Sequence, residues 1–408
     1  MKRKMILLCL AACLLLSGCS IWNEGHYVSV IPHREQSVRK NDNNQVANTY
    51  LELREIMESF VENGTENAVI STPYYPEVNM EDNVQTAISY VLEDHPIGAY
   101  AVEEINYEIG TNAGYRAVAL EINYRHDYSE IRRIQQVDDM RGAKQKISES
   151  LDDCSSGIVL YIKQYEEFDP EQLVSDYATT HPEKVIEQPR VTCNMYPEGY
   201  STTKVVELLY SYETSRDSLR SMQNQVGPMF EAAVLYVSGD TDSHQKFLHM
   251  YSFLMERYDY QYQTSITPAY SLLRHGVGDS KAFATVFAAM CSRAGLDCRV
   301  VSGTKDGEAW FWNVLYDEKY YHHVDLVECS RQGMMILKPD LLMEGYVWDY
   351  STVPRCLAPT FEPTEPTDSE ETVDVTEPHV ETTAPDAVSH VISEETTAPV
   401  TESLEPTN

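Results

Sequence analysis

The chain has little positive charge. Lys and Arg number 31 against 64 Asp and Glu, for a formal net charge of -33. Binding a phosphate backbone needs clustered Lys and Arg, so nucleic acid is excluded as a partner. Long apolar runs are missing too: beyond residue 16 no stretch is apolar enough to span a bilayer. None of the 9 Cys sits in a CxxC pair, which removes zinc-knuckle spacing. There is no Gly-rich phosphate loop. Asp240-Thr241-Asp242 starts like a calcium loop but lacks the Gly and the closing Glu that such a loop requires. His244 and His249 are five apart, which does not put two ligands on one helix face. The sequence therefore implies no cofactor and no metal. Phe is scarce at 9, while Tyr reaches 28. Tyr packs as an aromatic but keeps a polar tip, which suits sheet faces and binding surfaces.

What is present begins at the first residue. Lys2, Arg3 and Lys4 precede the short apolar run Met5–Leu16, and Leu16-Ser17-Gly18-Cys19 follows. A basic start, an apolar run of this length and small residues before a Cys resemble the leader and lipobox of bacterial lipoproteins. The resemblance implies cleavage after Gly18 and a diacylglyceryl group on the Cys19 thiol. It predicts an extracytoplasmic chain tethered to the membrane through lipid on Cys19. Cys9 and Cys13 would leave with the leader. Cys154, Cys193, Cys291, Cys298, Cys329 and Cys356 would remain, an even number in an exported chain, so disulfides are allowed. Cys329 with Cys356 is one candidate pair. Six buried free thiols are the alternative.

The pattern divides the chain into a leader (1–18), a tether (19–44), an α/β repeat (45–135), a second repeat (136–225), a longer apolar region (226–356) and a tail (357–408). From Gln45 a helical spacing runs through Val46, Tyr50, Leu53, Ile56, Met57 and Phe60, and Asn63-Gly64 stops it. A second helix is predicted over 83–92, ending before His95-Pro96. Alternation then predicts strands over 100–109 and 117–124 around an Asn112-Ala113-Gly114 turn. Much of this returns: His181-Pro182 echoes His95-Pro96, Gly199-Tyr200 echoes Gly114-Tyr115, and Val206, Leu208 and Tyr210 echo Val118, Leu120 and Ile122. The expectation is two helix-plus-β-hairpin repeats. The tail from Leu357 holds thirteen Asp and Glu and no Lys or Arg, with Thr and Pro between them. Such a composition cannot bury a core and predicts disorder.

Four pieces in the longer region carry chemistry. They are the segment from His275 to Phe287 (HGVGDSKAFATVF), Arg293 to Gly303 (RAGLDCRVVSG), Ala309 to Val314 (AWFWNV) and Tyr320 to Asp325 (YYHHVD). With Gly345 to Tyr350 (GYVWDY) as a closing strand, they resemble the transglutaminase-like domain of bacterial exported proteins. The resemblance implies a papain-like α+β fold and cysteine nucleophilic catalysis. A thiol at a helix N-terminus gains thiolate character there, a His on a neighbouring strand is the base, and an Asp orients the His. Ala282-Phe283-Ala284 stands where the family has Gly-Tyr-Ala, which puts Ser280 in the thiol's place. Phe311-Trp312-Asn313 stands for Ala-Trp-Asn, which puts Trp310 in the place of the His. His323-Val324-Asp325 matches His-Val-Asp, so Asp325 is kept.

Two of the three roles are thus replaced. A Ser needs an adjacent base, and an indole has a donor but no acceptor. Losing nucleophile or base costs such a triad on the order of 10⁶ in turnover. The resulting expectation is an α+β cell-surface lipoprotein with a non-catalytic transglutaminase-like domain. It would bind or scaffold at the envelope, with an envelope protein or wall polymer as partner. The alternative is an active transferase- or protease-like enzyme with a displaced Ser or Cys nucleophile. Cys291 lies three helical turns beyond Ser280, about 16 Å along an axis, which is far for a swap. His275 precedes the helix as a possible base for Ser280, and strand alternation lets one of His322 and His323 face the cleft. Gly278-Asp279-Ser280 otherwise reads as a helix start capped by Ser or Asp, and Trp310 and Trp312 share one strand face.

Overall fold

The computed structural model describes residues 44–112, 114–239, 242–256 and 261–357. The leader, Cys19, nearly all of the tether and all but the first residue of the tail lie outside the described residues. So do Ala113 of the first hairpin turn and the start of the Asp240-Thr241-Asp242 run. Among the described residues no helix is long and apolar enough to cross a membrane.

The apolar spacing from Gln45 predicts one helix, but the described residues begin with strand β1 (Asn44–Val46) and the helix runs Tyr50–Glu62. The reason is a capping box: the Glu52 N–H donates to Thr49 Oγ1 (3.3 Å) and the Thr49 N–H to Glu52 Oε2 (3.2 Å). Strand β2 (Asn67–Ser71), helix Met80–Glu93 and helix Pro96–Ala101 follow, then β3 (Val102–Asn112) and β4 (Tyr115–Tyr124). Their sheet has the order β1-β2-β4-β3, with β1 parallel to β2 and the other pairs antiparallel. Val118, Leu120 and Ile122 of β4 are buried on one face against Leu53, Met57, Val84 and Val91 of the two long helices.

The second region repeats this plan. Strands β5 (Gln135–Asp139), β6 (Gly157–Gln164), β7 (Arg190–Tyr196) and β8 (Lys204–Ser211) form a sheet of order β5-β6-β8-β7, again with its first pair parallel. Helices Met140–Asp152 and Pro170–Thr180 hold the matching places. Each repeat thus contains a parallel strand pair in addition to the helix and hairpin expected from sequence, and in the second repeat helix Met140–Asp152 matches the first helix expected from Gln45. The echoed dipeptides have diverged locally: His95 caps a helix start through Nδ1, which accepts from the Gly98 N–H (3.1 Å), while His181 ends a helix. Strand β8 is buried on both faces. Val206, Leu208 and Tyr210 pack in its own core and Val205 in that of the first repeat, while Glu207 breaks the apolar run on the second face and Leu209 beyond it is exposed.

A domain boundary at 225/226 does not hold, because helix Arg216–Val237 runs through it unbroken. Its Leu219, Val226, Phe230 and Ala233 pack in one core with helices Ser243–Met255 and Ser280–Arg293. That core lies on a third sheet, β13-β12-β11-β14, built from β11 (Cys298–Lys305), β12 (Glu308–Tyr316), β13 (Tyr321–Val324) and β14 (Tyr346–Trp348). Strands β9 (Gln261–Tyr262) and β10 (Val277–Gly278) form a short parallel pair ahead of Ser280. Helix Ser280–Arg293 is buried over most of its length, as its apolar run from Ala282 to Cys291 requires. All six cysteines of the described residues are free thiols, which corrects the candidate Cys329–Cys356 bridge.

Candidate functional site

Ser280 is the first residue of its helix, and the cap is Asp279, whose Oδ1 accepts from the Ala282 N–H at 2.9 Å. That frees the Ser280 side chain to face the sheet, where it is 3% exposed. Its Oγ accepts from the Phe311 backbone N–H at 3.2 Å, so the hydroxyl is held against strand β12. One residue earlier on β12, Trp310 turns its ring inward and is 7% exposed. Its indole Nε1–H donates to Asp325 Oδ2 at 2.9 Å. The structure therefore brings Ser280, Trp310 and Asp325 together around one strand.

Asp325 is surrounded by donors. Oδ2 also accepts from the Tyr346 hydroxyl (2.6 Å) and the Lys305 ammonium (3.2 Å), and Oδ1 accepts from the Glu328 N–H (3.1 Å). Through the last bond it caps helix Leu326–Gln332. Burial, and then the carboxylate beside it, push the Tyr346 phenol far above its ordinary value, so it stays a donor. Lys305 lies 5.1 Å from the Trp310 ring centroid and 5.0 Å from that of Tyr346, and it also pairs with Glu328 at 3.2 Å. Tyr262 of β9 stacks on Trp310 with centroids 5.6 Å apart and planes 15° apart. Lys305, Tyr346 and Tyr262 were missed as site residues in the sequence. Gly345-Tyr346 was visible only as part of a closing strand, and nothing local marks Lys305 or Tyr262.

Two residues along the same face lies a second polar chain. The Trp312 indole N–H donates to His323 Nδ1 (2.9 Å), and His323 Nε2 meets Asp340 Oδ1 (2.9 Å). An indole nitrogen only donates, so Nδ1 is the bare nitrogen and Nε2 carries the proton toward Asp340. Burial holds the imidazole below its ordinary pKa, against the upward pull of Asp340. Room for the Trp312 ring is made by Gly303, where a Cβ would lie 2.8 Å from the ring and 2.3 Å from the Val347 carbonyl oxygen.

His323 Nε2, Asp340 and Cys356 place their ligand atoms within 4.8 Å of one another, which is metal-site spacing. The tautomer argues against that use. A metal on Nε2 would force the proton onto Nδ1, against the indole N–H. The other candidates stand apart. His322 bonds to Asp317 (2.8 Å), and His275 lies against the Tyr270 ring (5.3 Å). Cys291 is fully buried, and burial together with neighbouring Cys298 raises its thiol pKa well above the ordinary value. Burial pushes Cys329 up to about 11 and Cys356 up to about 12. None of these thiols is a thiolate at neutral pH.

Residues 231–333 match the family model of the transglutaminase-like superfamily, so about a quarter of the chain is a transglutaminase-like domain. No curated protein matches the chain. Among solved structures, a TGase crystal structure is 10% identical with a TM-score of 0.23, over 42% of this chain and 50% of that one. A putative protease from Parabacteroides distasonis ATCC 8503 is 8% identical with a TM-score of 0.21, over 63% of this chain and 39% of that one. The chain thus spans half the length of the first and about two fifths of the second.

Proposed function

We propose that this protein is an envelope lipoprotein whose transglutaminase-like domain binds or scaffolds and does not catalyse. The observation that carries the reading is the 2.9 Å bond from the Trp310 indole N–H to Asp325. An indole stands on the carboxylate that would orient a catalytic imidazole, and it has no lone pair with which to take a proton. The nearby hydroxyl is that of Ser280, whose described partner is a backbone N–H, a donor that cannot act as a base. The buried, high-pKa thiols weigh against a displaced Cys nucleophile. The three-sided hold on Asp325 Oδ2 by Trp310, Tyr346 and Lys305 suits a rigid structural element.

Lipid on Cys19 would keep the domain at the outer face of a membrane, where an envelope protein or a wall polymer is the partner. Two measurements test the two halves of the reading. Native protein treated with a fluorophosphonate and with iodoacetamide should show no modification at Ser280 and none at Cys291. Rapid stoichiometric labelling at Ser280 would mean an activated nucleophile and would end the non-catalytic reading. Metabolic labelling with a fatty acid should mark the wild type and not Cys19→Ala. Equal labelling of both would remove the anchor.

A further inference from the structure

Two of the free thiols meet. Cys291 stands in the last turn of helix Ser280–Arg293, and Cys298 is the first residue of β11. The chain between them reverses through a tight helix end. The Leu296 N–H donates to the Cys291 carbonyl (2.9 Å) and the Gly295 N–H to the Ser292 carbonyl (3.0 Å), with Gly295 in the left-handed region at φ 76°. Sheet pairing fixes the far side of the turn. Cys298 lies opposite Leu315 of β12, and the Tyr316 N–H donates to the Asp297 carbonyl (2.9 Å). Asn313 of β12 holds the helix to the same strands, since its Nδ2 donates to the carbonyls of Ala284 (2.9 Å) and Arg299 (3.4 Å).

These constraints bring the Cys291 and Cys298 side chains into hydrogen-bonding contact with each other. The remaining thiols have other neighbours. Cys329 Sγ accepts from the Ile336 N–H (3.2 Å), Cys356 Sγ lies 3.9 Å from the Pro354 carbonyl oxygen, and Cys154 and Cys193 belong to the second repeat. Burial also differs within the pair: Cys291 is fully buried and Cys298 half-buried. A reagent in solution therefore reaches Cys298 first, and Cys291 waits behind it.

We propose that Cys291 and Cys298 are an oxidative modification site, a dithiol that closes to a disulfide and ties the last turn of the Ser280 helix to β11. The oxidant is a low-molecular-weight disulfide. Cys298, as thiolate, attacks one sulfur of that disulfide, whose S–S bond breaks and releases one thiol. Cys291 gives up its proton and attacks Cys298 Sγ in the mixed disulfide, and the second thiol leaves. Two protein thiols are oxidised, one external disulfide is reduced to two thiols, and the two protons end on them. Burial and the neighbouring Cys298 hold the Cys291 thiol well above its ordinary pKa, so the closing step is the slow one and quickens in mild alkali. The pairing follows from the fold alone and involves none of the groups around Asp325. Export, proposed above, would place the pair where such bridges persist. Failure of either reading leaves the other standing.

The test uses the full chain in detergent, kept native at pH 8.5 with oxidised glutathione. The sample is quenched with acid, blocked with N-ethylmaleimide in denaturant and digested with trypsin without reduction. Cleavage after Lys281, Arg293 and Arg299 separates the two cysteines unless a bridge joins peptides 282–293 and 294–299. The expected product is that joined pair, about 2 Da lighter than its two thiol peptides together, released again by dithiothreitol. Cys291→Ala should stop at a stable glutathione adduct on Cys298, about 305 Da heavier, and Cys298→Ala should leave Cys291 unmodified. The proposal is overturned if both thiols of the wild type stay free, or if Cys298 of the wild type stays a glutathione adduct. A bridge from Cys298 to another cysteine or to a second chain, or oxidation of Cys291 in Cys298→Ala, overturns it as well.

Discussion

Trp310 and Trp312 sit two residues apart on one face of β12, and each leads to a carboxylate by a different route. Trp310 reaches Asp325 directly (2.9 Å), whereas Trp312 reaches Asp340 through the His323 imidazole. The domain thus contains a buried His–Asp pair, but both ring nitrogens are engaged and neither is offered to Ser280. At the other carboxylate the donors are redundant: Asp325 has three besides the indole. The contrast teaches that a histidine and an aspartate in the same small sheet do not make a base. What counts is whether an imidazole nitrogen is left free to accept.

The largest expected effect is at Trp312. It is fully buried against Tyr346 and Trp348, so Trp312→Ala should cost about 3–5 kcal/mol, measured by denaturant unfolding. Replacing each indole by Phe sharpens the comparison. Trp312→Phe strips the donor from the buried His323 Nδ1 and should cost about 2–3 kcal/mol. Trp310→Phe leaves Asp325 its other donors and should cost about 1 kcal/mol. Equal costs would break the argument that the two routes differ.

His323 also makes a pH prediction, because it is held neutral in the fold. Its folded pKa lies below the unfolded value, so the unfolded state binds the proton first, and stability falls as pH drops below about 6.5. The slope for this one proton cannot exceed about 1.4 kcal/mol per pH unit. His323→Gln should flatten the unfolding profile between pH 6.5 and 5. A profile unchanged by the substitution would mean that His323 does not carry the dependence. The smallest effect is expected from Lys305→Met, about 1 kcal/mol or less in the same unfolding experiment, since the ammonium is one donor among several at Asp325.

Much of the repeat architecture was legible because it is periodic. Val118, Leu120 and Ile122 alternate because one face of β4 is buried, and their echo in β8 follows the same sheet order. The edge strands were harder to see. Asn44–Val46 is three residues long and gains its place only by pairing with β2, so its Val46 was absorbed into a helical spacing that the Thr49 cap cuts off. The domain limit failed for a related reason: helix Arg216–Val237 starts within the span assigned to the second repeat but serves the third region's core. At the site, Ser280, Trp310 and Asp325 could be placed from short motifs. Lys305, Tyr346 and Tyr262 come from three separate strands, and only the folded sheet brings them to Trp310 and Asp325.

The central claim is that the transglutaminase-like domain lacks a working nucleophile and base. Its most direct test is a turnover assay of the full chain on glutaminyl peptides, following ammonia release and amine incorporation, with Ser280→Ala as control. The account predicts that wild type and Ser280→Ala are both indistinguishable from buffer. Multiple turnovers by the wild type that vanish in Ser280→Ala would contradict it.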